Sequence, residues 1–565
     1  MTMPRRIVAN GLTISALVLS AADATAGGPL FEDYTAQSGI ANTHNSSGYS
    51  QPNYTAGGAV GDFNNDGWQD LYVVQGHGRD LLYLNNGDGT FTDDGMAWGL
   101  PTHRGKGAAA GDFNNDGWMD VFLTSAGPTT SSAAPGHHKL LRNNGDGTFT
   151  DIAMSAGVNV SSNGVEDGFC ATFGDYDLDG DLDLCVSGFA NNNSGTKLFQ
   201  NNGDETFSDV TANLNLGDVG TDLKAFAPRF IDMNGDRYPE LLMSCDFGTR
   251  SRYFLNNGNG AFTDMTDPAN VGDDENGMGQ SVGDYNNDGL MDWYVTSIYF
   301  PSINWTGNKL YINQGNNVFN EIGAAAGVDD GGYGWAALSV DFNHDGWVDI
   351  AETNGDSGDF GTTFFEEQSY LWFNNGDGTF TENAVAQGFS HFGKGRGMVN
   401  LDIDNDGDQD VVIFANHEPL TVYRNLLMDT EGAATNWLRV FLDTSSSDDL
   451  APNGYGAMVF VTATIGGESM TLLRAITPGD SFESSGEYSA HFGLADATTI
   501  DEIRVEWPNG MVTTQTGFPQ IKRSRSRHQF RVISTAMASS TAPILRNCSH
   551  NGTRMASLIS LATAS

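Results

Sequence analysis

The chain has 565 residues, 71 of them acidic and 27 basic, for a formal net charge of -44. That balance argues against a nucleic acid or an anionic membrane surface as partner. A hydrophobic content of 39% over this length supplies a large core and more than one domain.

In chain order, the first segment is "MTMPRRIVANGLTISALVLSAADATAGG", with Arg5 and Arg6, an apolar stretch and Ala24-Thr25-Ala26. It reads as a signal peptide over residues 1–26, with a plain N-terminal extension as the alternative. Export makes the protein secreted, extracellular or periplasmic, where calcium is plentiful. No later segment has the length and apolarity of a membrane span.

At Gly61 begins "GDFNNDGWQDLYVV", with oxygen-bearing side chains at Asp62, Asn64, Asp66 and Asp70 and a glycine at Gly67. Numbered from Asp62, these are positions 1, 3, 5 and 9 of a short loop that turns at position 6 and runs into a strand. Carboxylates, an amide oxygen and the backbone carbonyl of Trp68 at position 7 suit calcium, a hard cation that takes six to eight oxygens. An Asx-rich turn without metal is the plainer reading of one copy, but the phrase occurs seven times.

The second to seventh copies carry their ligand positions at Asp112, Asn114, Asp116, Trp118 and Asp120; at Asp175, Asp177, Asp179, Asp181 and Asp183; at Asp232, Asn234, Asp236, Tyr238 and Glu240; at Asp284, Asn286, Asp288, Leu290 and Asp292; at Asp341, Asn343, Asp345, Trp347 and Asp349; and at Asp402, Asp404, Asp406, Asp408 and Asp410. The fourth departs most, with Gly235 at position 4, Arg237 at position 6 and Pro239 before Glu240. Up to seven calcium ions, mainly structural, are the cofactor expected. They would offset about fourteen negative charges and relieve the repulsion inside each cage.

The loops start 50 to 63 residues apart. Each unit holds a short run such as "AAAGDF", the loop, a strand such as "DVFLTSA" and "KLLRNNGDGTFTD", whose "NNGDGTF" is a tight hairpin. About four strands per unit is what a propeller blade requires. The fold class expected is therefore all-β, a seven-bladed β-propeller over residues 27–428. "LFEDYTAQSGI" near the N-terminus repeats the phrase that ends the earlier units and that the seventh lacks, so residues near Leu30 to Ile40 would supply the missing outer strand. An open superhelix is the alternative, and it leaves edges to cap.

Cys170, Cys185, Cys245 and Cys548 do not organise the fold; a Cys170–Cys185 bridge and ordinary buried thiols both fit. Alternating strands in "NWLRVFLDT", "GAMVFVTATIGG" and "TTIDEIRVEWPNG" place a small β-rich domain over 429–518. Residues 519–565 carry Lys and Arg without Asp or Glu. They read as a disordered or processed basic tail, or as a basic element docking on the acidic body.

"FNNDGWQDLYV" and "NNGDGTFTD" resemble the FG-GAP and VCBS repeats of integrin α-chain propellers and bacterial secreted proteins. "NWLRV", "NGYGAMVFV" and "HFGLADATTIDEIRVEWPNG" resemble the ASPIC/UnbV domain. The domain order is similar to that of secreted cartilage acidic protein homologues. The resemblance implies calcium in the loops and leaves any reaction open.

Ligands of propellers usually sit at the mouth of the central channel. The residues eight and six places before the loop starts put Tyr54, Arg104, Lys106, Phe169, Lys224, Tyr333, Trp335, Lys394 and Arg396 there, a mixture of cations and aromatics suited to an anionic or amphipathic molecule. His77 and His417, each fifteen places after its loop start, with Glu418 and Asp167, form a candidate acid–base set. Two functions follow. One is a calcium-stabilised, monomeric binding or scaffold protein that recognises a small molecule, glycan or extracellular protein at the channel mouth. The other is a cofactor-independent lyase, cyclase or isomerase working with that acid–base set.

Overall fold

The computed structural model describes residues 28–44, 55–125, 137–159, 168–188, 196–215, 223–355, 364, 367–429, 435–477, 481–518, 529–533 and 546–547. The expected signal segment, Tyr54, Asp167 and most of the basic tail lie outside these residues.

The chain is all-β and is built from repeated four-stranded antiparallel sheets, each blade-like in its order of strands. The first sheet is representative. Gly58–Gly61 pairs with Asp70–Val73, which pairs with Leu81–Asn85, which pairs with Phe91–Asp93. The acidic loop joins the first and second strands. Seven such sheets occur among the described residues, one for each loop. In the last, the fourth strand comes from the other end of the chain: Phe31–Asp33 pairs antiparallel with Thr421–Asn425, Phe31 opposite Asn425. Strand, loop and hairpin recur because each first strand is short and apolar and each turn has its Gly and Asn.

Two polar staples hold every unit. The carboxylate at loop position 9 is buried and joins two chain segments: Asp70 accepts the N–H of Phe63 at 3.0 Å and that of Asn85 at 2.8 Å. Asp120, Asp183, Asp292, Asp349 and Asp410 repeat both bonds. The second staple links neighbouring sheets. Asn143, Asn201, Asn256, Asn313, Asn374 and Asn425 each donate from Nδ2 to the carbonyl at loop position 2 of the preceding sheet. Asn85 of the first sheet donates to Ile403 of the seventh at 2.9 Å, so the series returns to its start. Each bond contributes about 1 kcal/mol, and losing one leaves a buried carbonyl unpaired at a cost of about 1–3 kcal/mol.

The second domain has two sheets around a core that includes Leu438, Val459, Phe492, Val505 and Trp507. One sheet contains Met458–Ile465, Glu468–Ala475, Ile500–Glu506 and Val512–Thr516. In the other, Asn436–Asp443 pairs antiparallel with Ala490–Ala495 and parallel with Gln529–Ile533. The domain thus runs past residue 518, into the segment read as tail: the short apolar alternation of "QFRVI" finds a strand to pair with despite the basic residues before it. Cys170, Cys185 and Cys245 are buried, and no disulfide forms among the described residues. No helix there is long and apolar enough to cross a membrane, which says nothing of a β-barrel.

Candidate metal centres and the inserted segment

The seven acidic loops share one geometry. The position 1 carboxylate accepts the N–H of position 6, from Gly67 to Asp62 at 2.8 Å, and the same bond forms at Asp112, Asp175, Asp232, Asp284, Asp341 and Asp402. The position 5 carboxylate accepts the N–H of position 7, as from Trp68 to Asp66 at 2.9 Å. Trp118, Asp181, Tyr238, Leu290, Trp347 and Asp408 do likewise. These bonds curl the loop around its own carboxylates. Position 6 needs a left-handed backbone: Gly67 has φ 90° and Gly407 104°. Arg237 reaches φ 81° without being glycine, and its N–H still bonds Asp232 at 2.8 Å. The fourth loop therefore keeps the bonds at positions 6 and 7, although Gly235 N–H at position 4, and not Asp236 N–H at position 5, donates to Asp232 Oδ1. Its Arg237 also donates from Nη1 to Pro508 O at 3.3 Å, a contact with the second domain that a glycine would lack.

In the two loops with aspartate at position 3, the oxygens of positions 1, 3 and 9 converge. Those of Asp175, Asp177 and Asp183 all lie within 4.8 Å of one another, as do those of Asp402, Asp404 and Asp410. Asp404, Asp406 and Asp408 form a further such group. Burial, reinforced by the neighbouring carboxylates and opposed by backbone donors, pushes Asp62, Asp112 and Asp284 up to about 6, Asp341 to about 7 and Asp175 to about 8. The position 9 carboxylates lie well above their usual range for the same reason. A divalent cation reverses this, because it stabilises the ionised form. Asp177 Oδ1 is buried and has no hydrogen-bond partner. An all-oxygen donor set with excess buried negative charge and an unmet acceptor fits a hard cation such as calcium; the clustered aspartates can coordinate a metal.

The second domain sits on this loop face. Arg439, fully buried, donates to Asp402 Oδ2 at 3.3 Å and to Asn405 Oδ1 at 3.1 Å. His491 and His344 approach the Gly407 carbonyl through Nε2 at 2.8 and 3.2 Å. Trp437 lies against Gly407, where a Cβ would stand 1.7 Å from the indole.

From this domain Ser481 to Tyr488 reach in among the first strands. Val60 N–H donates to Ser485 O at 2.9 Å, Ala108 N–H to Glu483 O at 3.3 Å, and Ala337 N–H to Ser481 Oγ at 2.8 Å. The Phe482 ring lies 5.3 Å from Phe226 and 5.0 Å from Trp335. Glu483 accepts the N–H of Ala56 at 2.8 Å, and its charge interacts with Lys106 and Arg396. Gly57 is required here, since a Cβ would fall 1.9 Å from Glu483 O. The segment therefore plugs the space between first strands of the first, second, fourth and sixth sheets.

The expected channel residues divide accordingly. Lys106, Phe169, Trp335 and Arg396 are fully buried next to the plug: Lys106 Nζ lies 3.2 Å over the Phe169 ring and Arg396 stacks 4.1 Å over Trp335, which in turn stacks on Tyr333. Arg104, Lys224 and Lys394 stay half-buried. His77 and His417 are exposed, and both act on the buried His44, whose two ring nitrogens have no hydrogen-bond partner. Lys394, Arg396 and Glu418 are the charged neighbours of His417. Glu418 is engaged in structure, accepting the N–H of Lys394 at 2.8 Å. Sequence reasoning missed Arg439, Arg474, Glu483 and His44. The only trace of the plug was the Ser-rich "SFESSGEYS", which carries two aromatics and two carboxylates between two strands.

Family models place this geometry. The FG-GAP-like repeat matches residues 62–123, 130–186, 175–243 and 232–295, and the ASPIC and UnbV model matches residues 448–525. Cartilage acidic protein 1 of Mus musculus is 27% identical over 50% of this chain and 49% of its own length. That of Homo sapiens is 25% identical over 45% and 44%, and that of Xenopus tropicalis 25% over 46% and 38%. The match spans about half the length of these relatives or less. The chain carries FG-GAP-like repeats followed by an ASPIC and UnbV domain and is distantly similar to cartilage acidic protein 1.

Proposed function

We propose that the chain is a calcium-stabilised extracellular binding or scaffold protein. Its seven sheets are the blades of a closed propeller, latched by the N-terminal strand and stoppered at one end by the second domain. The Asn bonds that run from each sheet to the next and return from Asn85 to Ile403 support the ring. The observation that carries the reading is the loops themselves: all seven curl by the same bonds around acidic side chains, the carboxylates of the third and seventh converge, and the most economical source of compensating charge is a metal in each. The protein is secreted in this reading, and calcium from outside the cell completes the fold.

The plug leaves the opposite mouth as the place for a ligand. Arg104, Lys224 and Lys394 gather cations there, beside the imidazoles of His77 and His417, in a chain that is otherwise strongly acidic, so the ligand class is anionic: a small molecule, an acidic glycan or an acidic segment of an extracellular protein. We favour binding over acid–base catalysis because Glu418 is spent on a backbone N–H. The test has two parts. Elemental analysis of purified protein should return calcium near seven per chain; none would overturn the metal reading. On an array of glycans and carboxylated small molecules, Arg104→Gln and Lys394→Gln should each lose the hits of the parent at unchanged calcium content. An unchanged profile would overturn the mouth.

A further inference from the structure

Position 4 of every acidic loop stands in a left-handed backbone, and what it carries differs from loop to loop. Asn65, Asn115, Asn287 and Asn405 have φ of 55°, 59°, 53° and 55°, His344 has 59°, Leu178 61° and Gly235 79°. Four of these side chains reach the neighbouring loop. Asn65 of the first donates from Nδ2 to the Gly117 carbonyl of the second at 3.0 Å, and Asn287 of the fifth to the Gly346 carbonyl of the sixth at 3.1 Å. His344 of the sixth approaches the Gly407 carbonyl of the seventh through Nε2 at 3.2 Å, an oxygen it shares with His491. Asn115 of the second loop reaches the third one residue further on, donating to Asp181 Oδ1 at 2.7 Å.

Leu178 of the third loop and Gly235 of the fourth have no side-chain donor to offer. Asn405 of the seventh meets the second domain, accepting from Arg439 Nη1 at 3.1 Å. The position 4 bonds thus string together loops one to three and loops five to seven, and the fourth stands outside both runs. The asparagine staple to the position 2 carbonyl recurs at the junctions of the fourth sheet, from Asn256 to Tyr176 and from Asn313 to Met233, so it does not set that loop apart. The carbonyl at position 6 belongs to the peptide unit whose N–H, on position 7, holds the position 5 carboxylate. Gly117 O accepts from Asn65 on one side of that unit, while Trp118 N–H donates to Asp116 at 2.9 Å on the other. The units after Gly346 and Gly407 are held in the same way. A bond to the carbonyl polarises the unit and strengthens the one its N–H makes, and position 7 also offers the backbone oxygen expected of a calcium cage.

We infer that Asn65, Asn115, Asn287 and His344 are positioning residues of the cage that follows each of them, so that calcium is taken up in two coupled runs, loops one to three and loops five to seven, with the fourth loop filling independently of its neighbours. The coupling rests on the proposed calcium in the loops: a cage ordered by its ion holds its position 4 donor still for the next. Coupling of this kind is reciprocal, and an ion in the later loop of a pair favours the earlier one by the same factor.

Terbium, an oxygen-seeking ion that replaces calcium and emits when a nearby tryptophan is excited, reads single loops of the full chain, because Trp68, Trp118 and Trp347 occupy position 7 of the first, second and sixth. With Trp68→Phe and Trp347→Phe in place, the emission lost on adding Trp118→Phe belongs to the second loop. Its midpoint should rise at least about threefold with Asn65→Gly, which removes one hydrogen bond and copies position 4 of the fourth loop. Asp66→Asn, which weakens the first cage, should raise it by a similar factor and add nothing once Asn65→Gly is present. For the fifth loop, Leu290→Trp in a chain with the other three replaced sets the reporter beside Gly315, where a Cβ would meet nothing within 4 Å. That midpoint should rise with Asp345→Asn in the sixth loop and stay unchanged with Asp236→Asn in the fourth. An effect of Asp66→Asn that is equal with and without Asn65, or a fifth loop that responds as much to the fourth as to the sixth, overturns the coupling and leaves calcium in the loops standing. Absence of terbium emission from the parent overturns the calcium reading, and the coupling with it.

Discussion

The third and seventh loops have the same converging donors and opposite surroundings. In the third, Asp177 Oδ1 has no partner, and a glutamine, Gln200, is the side chain that reaches Asp177 Oδ2. In the seventh, Arg439 from the second domain reaches Asp402 and Arg424 reaches Asp404 at 2.5 Å. The third motif thus keeps its excess negative charge, whereas the seventh is partly neutralised by Arg424 of its own sheet and by Arg439, which also ties in the second domain. On the proposed calcium reading, charge compensation is divided between ions from solution and arginine side chains, and the seventh loop is where the two would compete.

Removing calcium altogether should produce the largest effect. Chelation is expected to lower the melting temperature by more than about 10 °C, since metal binding is folding free energy here, and calorimetry with and without chelator reads it. A melting point unchanged by chelation would leave the third loop no different from the seventh.

Arg439→Gln comes next. It strands the buried Asp402 and Glu487, at a cost of about 3–5 kcal/mol in low calcium. Excess calcium should recover part of that loss, because the ion then has Asp402 to itself; denaturant titrations at two calcium concentrations would show it. Equal losses at both concentrations would mean that arginine and metal do not compete.

Gly407→Ala tests the same junction sterically. A methyl group placed 1.7 Å from the Trp437 ring forces the second domain off the seventh loop, for about 2–3 kcal/mol. The corresponding change at Gly117, which has nothing within 4 Å, should cost only the backbone strain of about 1 kcal/mol.

The plug adds a pH dependence. Burial pushes Glu483 up to about 8 from its usual 4.5, against the pull of Lys106, the Ala56 N–H and Arg396. Between those values the unfolded chain releases a proton that the folded chain keeps, so its contribution falls as pH rises from 4.5 and levels off above about 8. Glu483→Gln, neutral throughout, should gain on the parent by up to about 1 kcal/mol per pH unit across that window. Parallel denaturation curves at pH 5 and pH 8 would remove this role.

The smallest effect expected is at the fourth loop. Arg237→Gly relieves a left-handed backbone worth about 1 kcal/mol and forfeits the bond to Pro508. The two nearly cancel, and a change in midpoint above about 1 kcal/mol would show that one of them is misjudged.

Much of the architecture was legible along the chain because it is local. A loop that closes on its own carboxylates, a hairpin two residues beyond a strand and a period near sixty residues each leave a fixed spacing, and the phrase around Phe31 announced a strand in search of a sheet. The spacing of the position 9 aspartates suggested ligands and nothing more, while the structure shows them bonded to the N–H groups of Asn85 and its counterparts in the third strand.

The sequence by itself determined the repeat, the cages and the order of the two parts, since each depends on residues a few places apart. Only the tertiary structure decided where the second domain sits, that Glu483 comes within electrostatic reach of Lys106 and Arg396, and that Arg439 meets Asp402. Those contacts join residues tens to hundreds of positions apart, with no periodicity to mark them. They depend on how two folded surfaces match in shape and charge, which appears only once both have formed.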